Sequence, residues 1–259
     1  MPKLNALFAI FSVVTVAPLL HAQFTASTDL DYSSGKYGQK IRTEIYTYDV
    51  SGEYVYKDWT GKIVLPLYEN VTGPGGVLPK IGRVGKVNRV IGFTQTKRTN
   101  DGFGDVDLSL TYDAYHNDSN GWDISVTGEV KFGTASAAKG LGTGRPDYSP
   151  SVAVSRTMGK FTPWVSFGYR RVGKPASFQL RDYWYGSAGV SYAIDDNDSV
   201  MVSFDSSERS SLGSDVDNDA SIEMSRDLDK SWSMGLTVLA GLSTAAPDIE
   251  LTGSASYKY

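Results

Sequence analysis

Carboxylates are the residues of this chain whose spacing first suggests chemistry. Asp105, Asp107 and Asp113 lie on one stretch and Asp123 on the next, all at odd positions. Grouped carboxylates bind a cation such as calcium, select for positively charged solutes, or are balanced by cations on the same face. Lys62, Lys131 and Arg170 are available for the last role, which makes internal charge balance the plainest of the three. A second grouping is His116, Asp118 and Ser119. Nucleophilic catalysis needs a serine within hydrogen-bond reach of a base that a third group orients. Here the histidine opens a short polar turn, His116 to Gly121, where a solvated side chain needs no catalytic explanation. No enzyme, cofactor or metal is expected.

The elements that carry these residues are strands. From Ile249 to the terminus, Ile249, Leu251, Gly253, Ala255, Tyr257 and Tyr259 alternate with Glu250, Thr252, Ser254, Ser256 and Lys258. A period of two places the two sets on opposite faces. The same pattern puts Tyr46, Tyr48, Val50, Gly52, Tyr54 and Tyr56 opposite Thr47, Asp49, Ser51 and Glu53. Past a turn at Lys57-Asp58, Trp59, Gly61, Ile63, Leu65 and Leu67 oppose Thr60, Lys62 and Tyr68. Val106, Leu108, Leu110 and Tyr112 oppose the carboxylates above, and Trp122 to Phe132 continues the alternation. Further strands are expected near 147–158, 161–172, 182–194, 198–207, 217–228 and 231–244, with the closing strand from 247.

Counting the first at Phe24 to Tyr32 gives twelve, an even number that returns both termini to one side. The expected fold is all-β, a transmembrane antiparallel β-barrel of about 12 strands. Short turns alternate with longer connections at 73–102, 134–146, 173–181 and 208–216, as in bacterial barrels. A soluble sandwich also alternates, but its strands are typically about five or six residues. These run to about ten, the length of a tilted span. Trp59, Trp122, Phe161, Trp184, Trp232 and Tyr257 stand near strand ends, where an interfacial girdle belongs.

Residues 1–22 read as a secretory signal peptide, with Lys3, an apolar run from Leu4 to Leu20, and small Ala22 before Gln23. Residues 23–259 are then the barrel domain. The sequence has no cysteine, so disulfides cannot hold an exported fold. A net charge of -4 gives no sign of nucleic-acid binding.

Several stretches resemble the outer-membrane family named after the MetA pathway of phenol degradation. They are Tyr56, Asp58 and Trp59, Ile63 to Tyr68 (IVLPLY), Thr72 to Gly75 (TGPG), Gly102 to Val106 (GFGDV), Phe132-Gly133-Thr134 and Leu141 to Gly144 (LGTG). The resemblance implies a barrel in the bacterial outer membrane and passage of small organic molecules, and it carries no catalytic residues.

The inward faces of such a barrel are expected to carry Asp49, Glu53, Lys62, Asp105, Asp107, Asp113, Asp123, Glu129, Lys131, Arg170, Glu223, Glu250 and Lys258. They form either a solute path for small, hydrophobic or aromatic molecules or, with charges paired internally, a blocked lumen in a structural or surface-interaction barrel. Lys80, Arg83, Lys86, Arg89, Lys97 and Arg98 lie in the long 73–102 connection. They are expected to fold inward as a constriction or to meet lipopolysaccharide phosphates. Tyr257 and Tyr259 are the expected signal to the barrel assembly machinery. Partners are therefore outer-membrane lipid, lipopolysaccharide, that machinery and a small-molecule solute, with no nucleic acid.

Overall fold

A computed structural model describes residues 22–37, 39–74, 97–176, 179–211 and 214–259. The expected signal segment, Ala22 apart, lies outside them. β1 (Ala22–Gly35), β2 (Thr43–Tyr56) and β3 (Trp59–Gly73) are followed by a short β4 (Arg98–Gly102). Then come β5 (Asp107–Asn117), β6 (Trp122–Lys131), β7 (Asp147–Arg156) and β8 (Phe161–Arg170). β9 (Tyr183–Ala193), β10 (Asp198–Ser207), β11 (Asp217–Asp227), β12 (Trp232–Gly241) and β13 (Ile249–Lys258) complete the chain.

Sequential antiparallel pairing runs from β5 to β13, then β13 pairs with β1, β1 with β2, β2 with β3, and β3 with β5. Twelve strands thus close into a ring, and the thirteenth, β4, pairs only with the outer end of β3. Closure removes the free edges, which is the condition for a sheet to exist where no water can bind the backbone.

The hydrophobic pattern is inverted relative to a soluble core. Leu110, Val165, Val202, Ile222, Met224 and Leu236 are exposed on the outside. Thr47, Asp49, Ser149, Ser203, Ser221 and Thr252 are buried on the inside. Hydroxyl pairs join neighbouring strands across the lumen wall, Thr111 with Thr127 at 2.8 Å and Ser203 with Ser221 at 2.8 Å. Trp59, Trp122, Phe161 and Trp232 are exposed at the end of the barrel that has the short turns, and Trp184 at the other. This is the girdle that the sequence pattern placed.

Short turns use residues suited to them. Lys57 takes a left-handed conformation, φ 55°, within the expected Lys57-Asp58 turn. Asp195 Oδ1 accepts the N–H groups of Asn197 and Asp198, and Asp229 Oδ1 those of Ser231 and Trp232. Such side-chain bonds stand in for a backbone turn, and they hold both carboxyls below the usual carboxylate range. By convention these short turns mark the periplasmic side.

Two bulges alter the simple alternation. Tyr48 faces Tyr68 while Asp49 faces Pro66, so Leu67 is an extra residue in β3. Beyond an extra residue the two faces exchange. Tyr68, expected to point inward, is therefore exposed outside, and Glu69 is buried inside. A second bulge lies between Asp113 and Tyr115 of β5. The 73–102 connection also differs from expectation at its end, where Arg98–Gly102 is strand.

Candidate functional site

The glycine-rich motifs, scattered in sequence, meet at the outer end of the β3–β5–β6 wall. Pro66 lacks an N–H, so the ladder between β3 and β5 stops near it. Its carbonyl instead accepts the Gly104 N–H at 3.0 Å. A Cβ on Gly104 would lie 2.7 Å from Pro66, and one on Gly133 would lie 2.3 Å from the Arg145 nitrogen. These approaches require glycine. Thr134 Oγ1 donates to the Gly104 carbonyl and accepts from Val106 N–H. The loop that follows turns into the barrel mouth, with Ala135, Leu141 and Thr143 buried and a 3-10 turn at Ala137–Lys139.

A buried ionic group locks this arrangement. Lys131 Nζ lies 3.0 Å from Asp105 Oδ2 and 3.1 Å from Asp147 Oδ2, and all three side chains are at most 2% exposed. Asp105 Oδ1 accepts the Ala135 N–H, and Asp147 Oδ1 the Gly173 N–H. One ammonium thus organises five segments: 103–106, the end of β6, the start of β7, the 132–146 loop and the 171–182 loop. Beside it, Arg170 bonds Glu129 Oε1 at 2.7 Å and Ser149 Oγ at 2.7 Å.

The four carboxylates that suggested a cluster do not form one. Asp105 and Asp107 are buried at the outer end, Asp105 with Lys131 as its ionic partner. Asp113 lies six residues along β5 from Asp107, about 20 Å at strand rise, and Asp123, opposite His116, lies farther still toward the periplasmic end. No group that could hold a metal ion is found among the described residues. Glu53 and Lys62 are cross-strand partners on the inner face, Asp49 and Glu250 are buried there, and Glu223 is half-buried. Lys258 is exposed at the periplasmic end.

At that end both imidazole nitrogens of His116 meet carboxylates, Asp123 at Nδ1 and Asp118 at Nε2. Ser119 Oγ donates to Asn117 Oδ1 at 2.6 Å, and not to the histidine. Lys80, Arg83, Lys86 and Arg89 lie outside the described residues. Lys97 is 3.6 Å from Glu44, and Arg98 is exposed at the start of β4. Tyr257 and Tyr259 cluster at the closing seam: Tyr259 packs on Phe24 and on Tyr257, and Tyr257 on Trp232.

Glu69, Asp147, Trp164, Tyr183 and Tyr185 carry no motif or cluster in the sequence that marks them as site residues. Asp147, Trp164, Tyr183 and Tyr185 follow from the period of two once the strand bounds are known. Glu69 does not, because the bulge at Leu67 sets its direction.

A closed twelve-stranded ring with an apolar exterior and a polar interior is an outer-membrane β-barrel. The chain belongs to the family described as putative MetA-pathway of phenol degradation, which matches residues 50–259. Among solved structures it is similar to an outer-membrane channel from Pseudomonas putida F1, at 11% identity and a TM-score of 0.70 over 93% of this chain and 97% of that one. It also resembles the β domain of the Bordetella autotransporter BrkA, at 11% identity and a TM-score of 0.53 over 92% and 100%. The translocator domain of the autotransporter NalP from Neisseria meningitidis matches at 10% identity and 0.50 over 94% and 90%. Identities this low concern the fold alone. No curated protein matches.

Proposed function

We propose that the protein is a passive outer-membrane channel for small molecules, hydrophobic or aromatic ones among them. The observation that carries this reading is the inner face, which is polar on every strand of the ring although no soluble core requires it. A barrel that only anchored itself could fill its interior with packed apolar side chains. Phenol degradation in the family description supports small aromatic solutes. Charged residues of the inner wall, Asp49, Glu53, Lys62 and Glu223 among them, line the path. At the outer mouth, Asp105, Lys131, Asp147, Glu129 and Arg170 pin the 132–146 loop and narrow it. Residues 1–22 are the export signal, cleaved before Gln23. Lys80, Arg83, Lys86, Arg89 and Lys97, with Arg98 at the start of β4, supply an outer basic surface that contacts lipopolysaccharide.

The same buried ionic group favours one alternative, a structural or surface-interaction barrel whose lumen is blocked. Purified protein in a planar bilayer separates them. Stepwise ion currents are expected, and a heat-modifiable barrel that passes no current would leave the blocked-lumen reading standing.

Tyr259 serves recognition by the assembly machinery in this reading. Deleting it should leave unassembled protein in cells while refolding in detergent proceeds. Wild-type levels in the outer membrane would remove that role.

A further inference from the structure

Inward-facing aromatic side chains are confined to one sector of the barrel. Among the described residues of the twelve ring strands, the inward positions carry aromatics only at Trp164 of β8 and at Tyr183 and Tyr185 of β9. The assignment rests on the alternation: Phe161, Val165 and Phe167 of β8 and Trp184 and Val190 of β9 are exposed outside, whereas Arg170 and Tyr183 are buried. Elsewhere the inner wall is serine, threonine and charged residues, with a few aliphatic ones.

Two of the three rings lie on glycines of the neighbouring strand. A Cβ on Gly168 would come within 2.4 Å of Tyr185 Cζ, and one on Gly189 within 2.8 Å of the Trp164 indole. Each ring thus occupies the space over its glycine that a side chain there would fill. Tyr183 joins Val172 and Leu180 in a buried apolar cluster, and Tyr185 packs against it. The sector runs from that cluster at the outer mouth, through Tyr185, to Trp164 opposite Gly189. Six residues of strand separate Tyr183 from Gly189, about 20 Å.

We propose that Trp164 and Tyr185 form a stacking track that binds planar, uncharged aromatic solutes as they cross the lumen, with the buried Tyr183 supporting its outer end. Offset stacking on rings held in place by the wall favours a planar solute over a saturated one of equal size. The bonds and ion pairs of the surrounding wall supply no comparable surface. The track rests on the channel reading above, and it assigns the aromatic solutes of that reading to one sector of the wall. Glycine-backed rings also strengthen a sheet, so the test must read ligand and not only folding.

Trp164 reports on the track directly. In a variant with Trp59, Trp122, Trp184 and Trp232 changed to Phe, the remaining indole is titrated with nitrobenzene and, separately, with nitrocyclohexane, both neutral quenchers. A companion variant keeping only Trp184 measures quencher dissolved in detergent. Nitrobenzene is expected to quench Trp164 saturably, and several-fold more effectively than nitrocyclohexane, with no such difference at Trp184. Tyr185→Leu should weaken the saturable quenching about 2- to 10-fold, the equivalent of one aromatic pair, while Tyr185→Phe preserves it. Each variant is first shown to be heat-modifiable. Equal quenching by the two compounds at Trp164, or an unchanged titration in Tyr185→Leu, overturns the track. Bilayer currents with equal quenching would retain the channel without the track, whereas saturable quenching without currents would retain the track and reject the channel.

Discussion

Changing Lys131 to methionine is expected to be the most damaging single substitution in the barrel wall. The ammonium is 1% exposed between Asp105 and Asp147. Methionine keeps the length of the side chain but leaves two buried carboxylates facing each other without their cation. Breaking a buried ionic group by removing one partner costs about 3–5 kcal/mol. The damage should be local, because Asp105 also holds the Ala135 N–H and Asp147 the Gly173 N–H. Both outer loops lose their anchor together. The temperature at which the heat-dependent mobility shift occurs should fall, and the single-channel conductance should rise as the 132–146 loop leaves the mouth. Asp105→Asn should do less, since Lys131 keeps Asp147. A Lys131→Met barrel with wild-type melting and conductance would mean that the outer knot is held by its glycines and backbone bonds alone.

Leu110→Arg should lower the yield of assembled barrel, for a different reason. Leu110 is 51% exposed on the outer face, with Gly61 and Gly128 as its cross-strand partners. No neighbouring side chain shelters a charge there. An arginine on the lipid face near the bilayer midplane costs about 2–4 kcal/mol. The adjacent residue is the control. Ser109 points inward, between Lys62 and Glu129, and Ser109→Asn should assemble as wild type. Yields of heat-modifiable protein in outer-membrane fractions measure both. Equal yields from the two would show that the faces have been assigned wrongly.

Much of the barrel is legible in the amino-acid order. Tyr46 to Tyr56 and Ile249 to Tyr259 alternate without interruption, and a period of two has only one geometric meaning. The turns at Lys57-Asp58 and Asp229-Lys230 follow from the polar residues that break those runs. Face assignment by alternation fails at Tyr68, because a bulge has no marker in the hydrophobic pattern beyond the proline that precedes it. The carboxylates mislead in a similar way. Asp105 to Asp123 are near in sequence, but an extended strand separates its ends by its full length, so proximity along the chain is distance in the barrel.

The architecture is written in the residue order, since alternating strands of about ten residues with apolar outer faces satisfy their backbone groups only by closing on themselves. What the glycine-rich motifs do emerges only in the folded barrel. GFGDV, Phe132-Gly133-Thr134 and LGTG come from separate stretches, and their meeting depends on close backbone approaches at Gly104 and Gly133 and on one shared lysine. Contacts between distant segments are set by register and closure around the ring, and no local pattern encodes them.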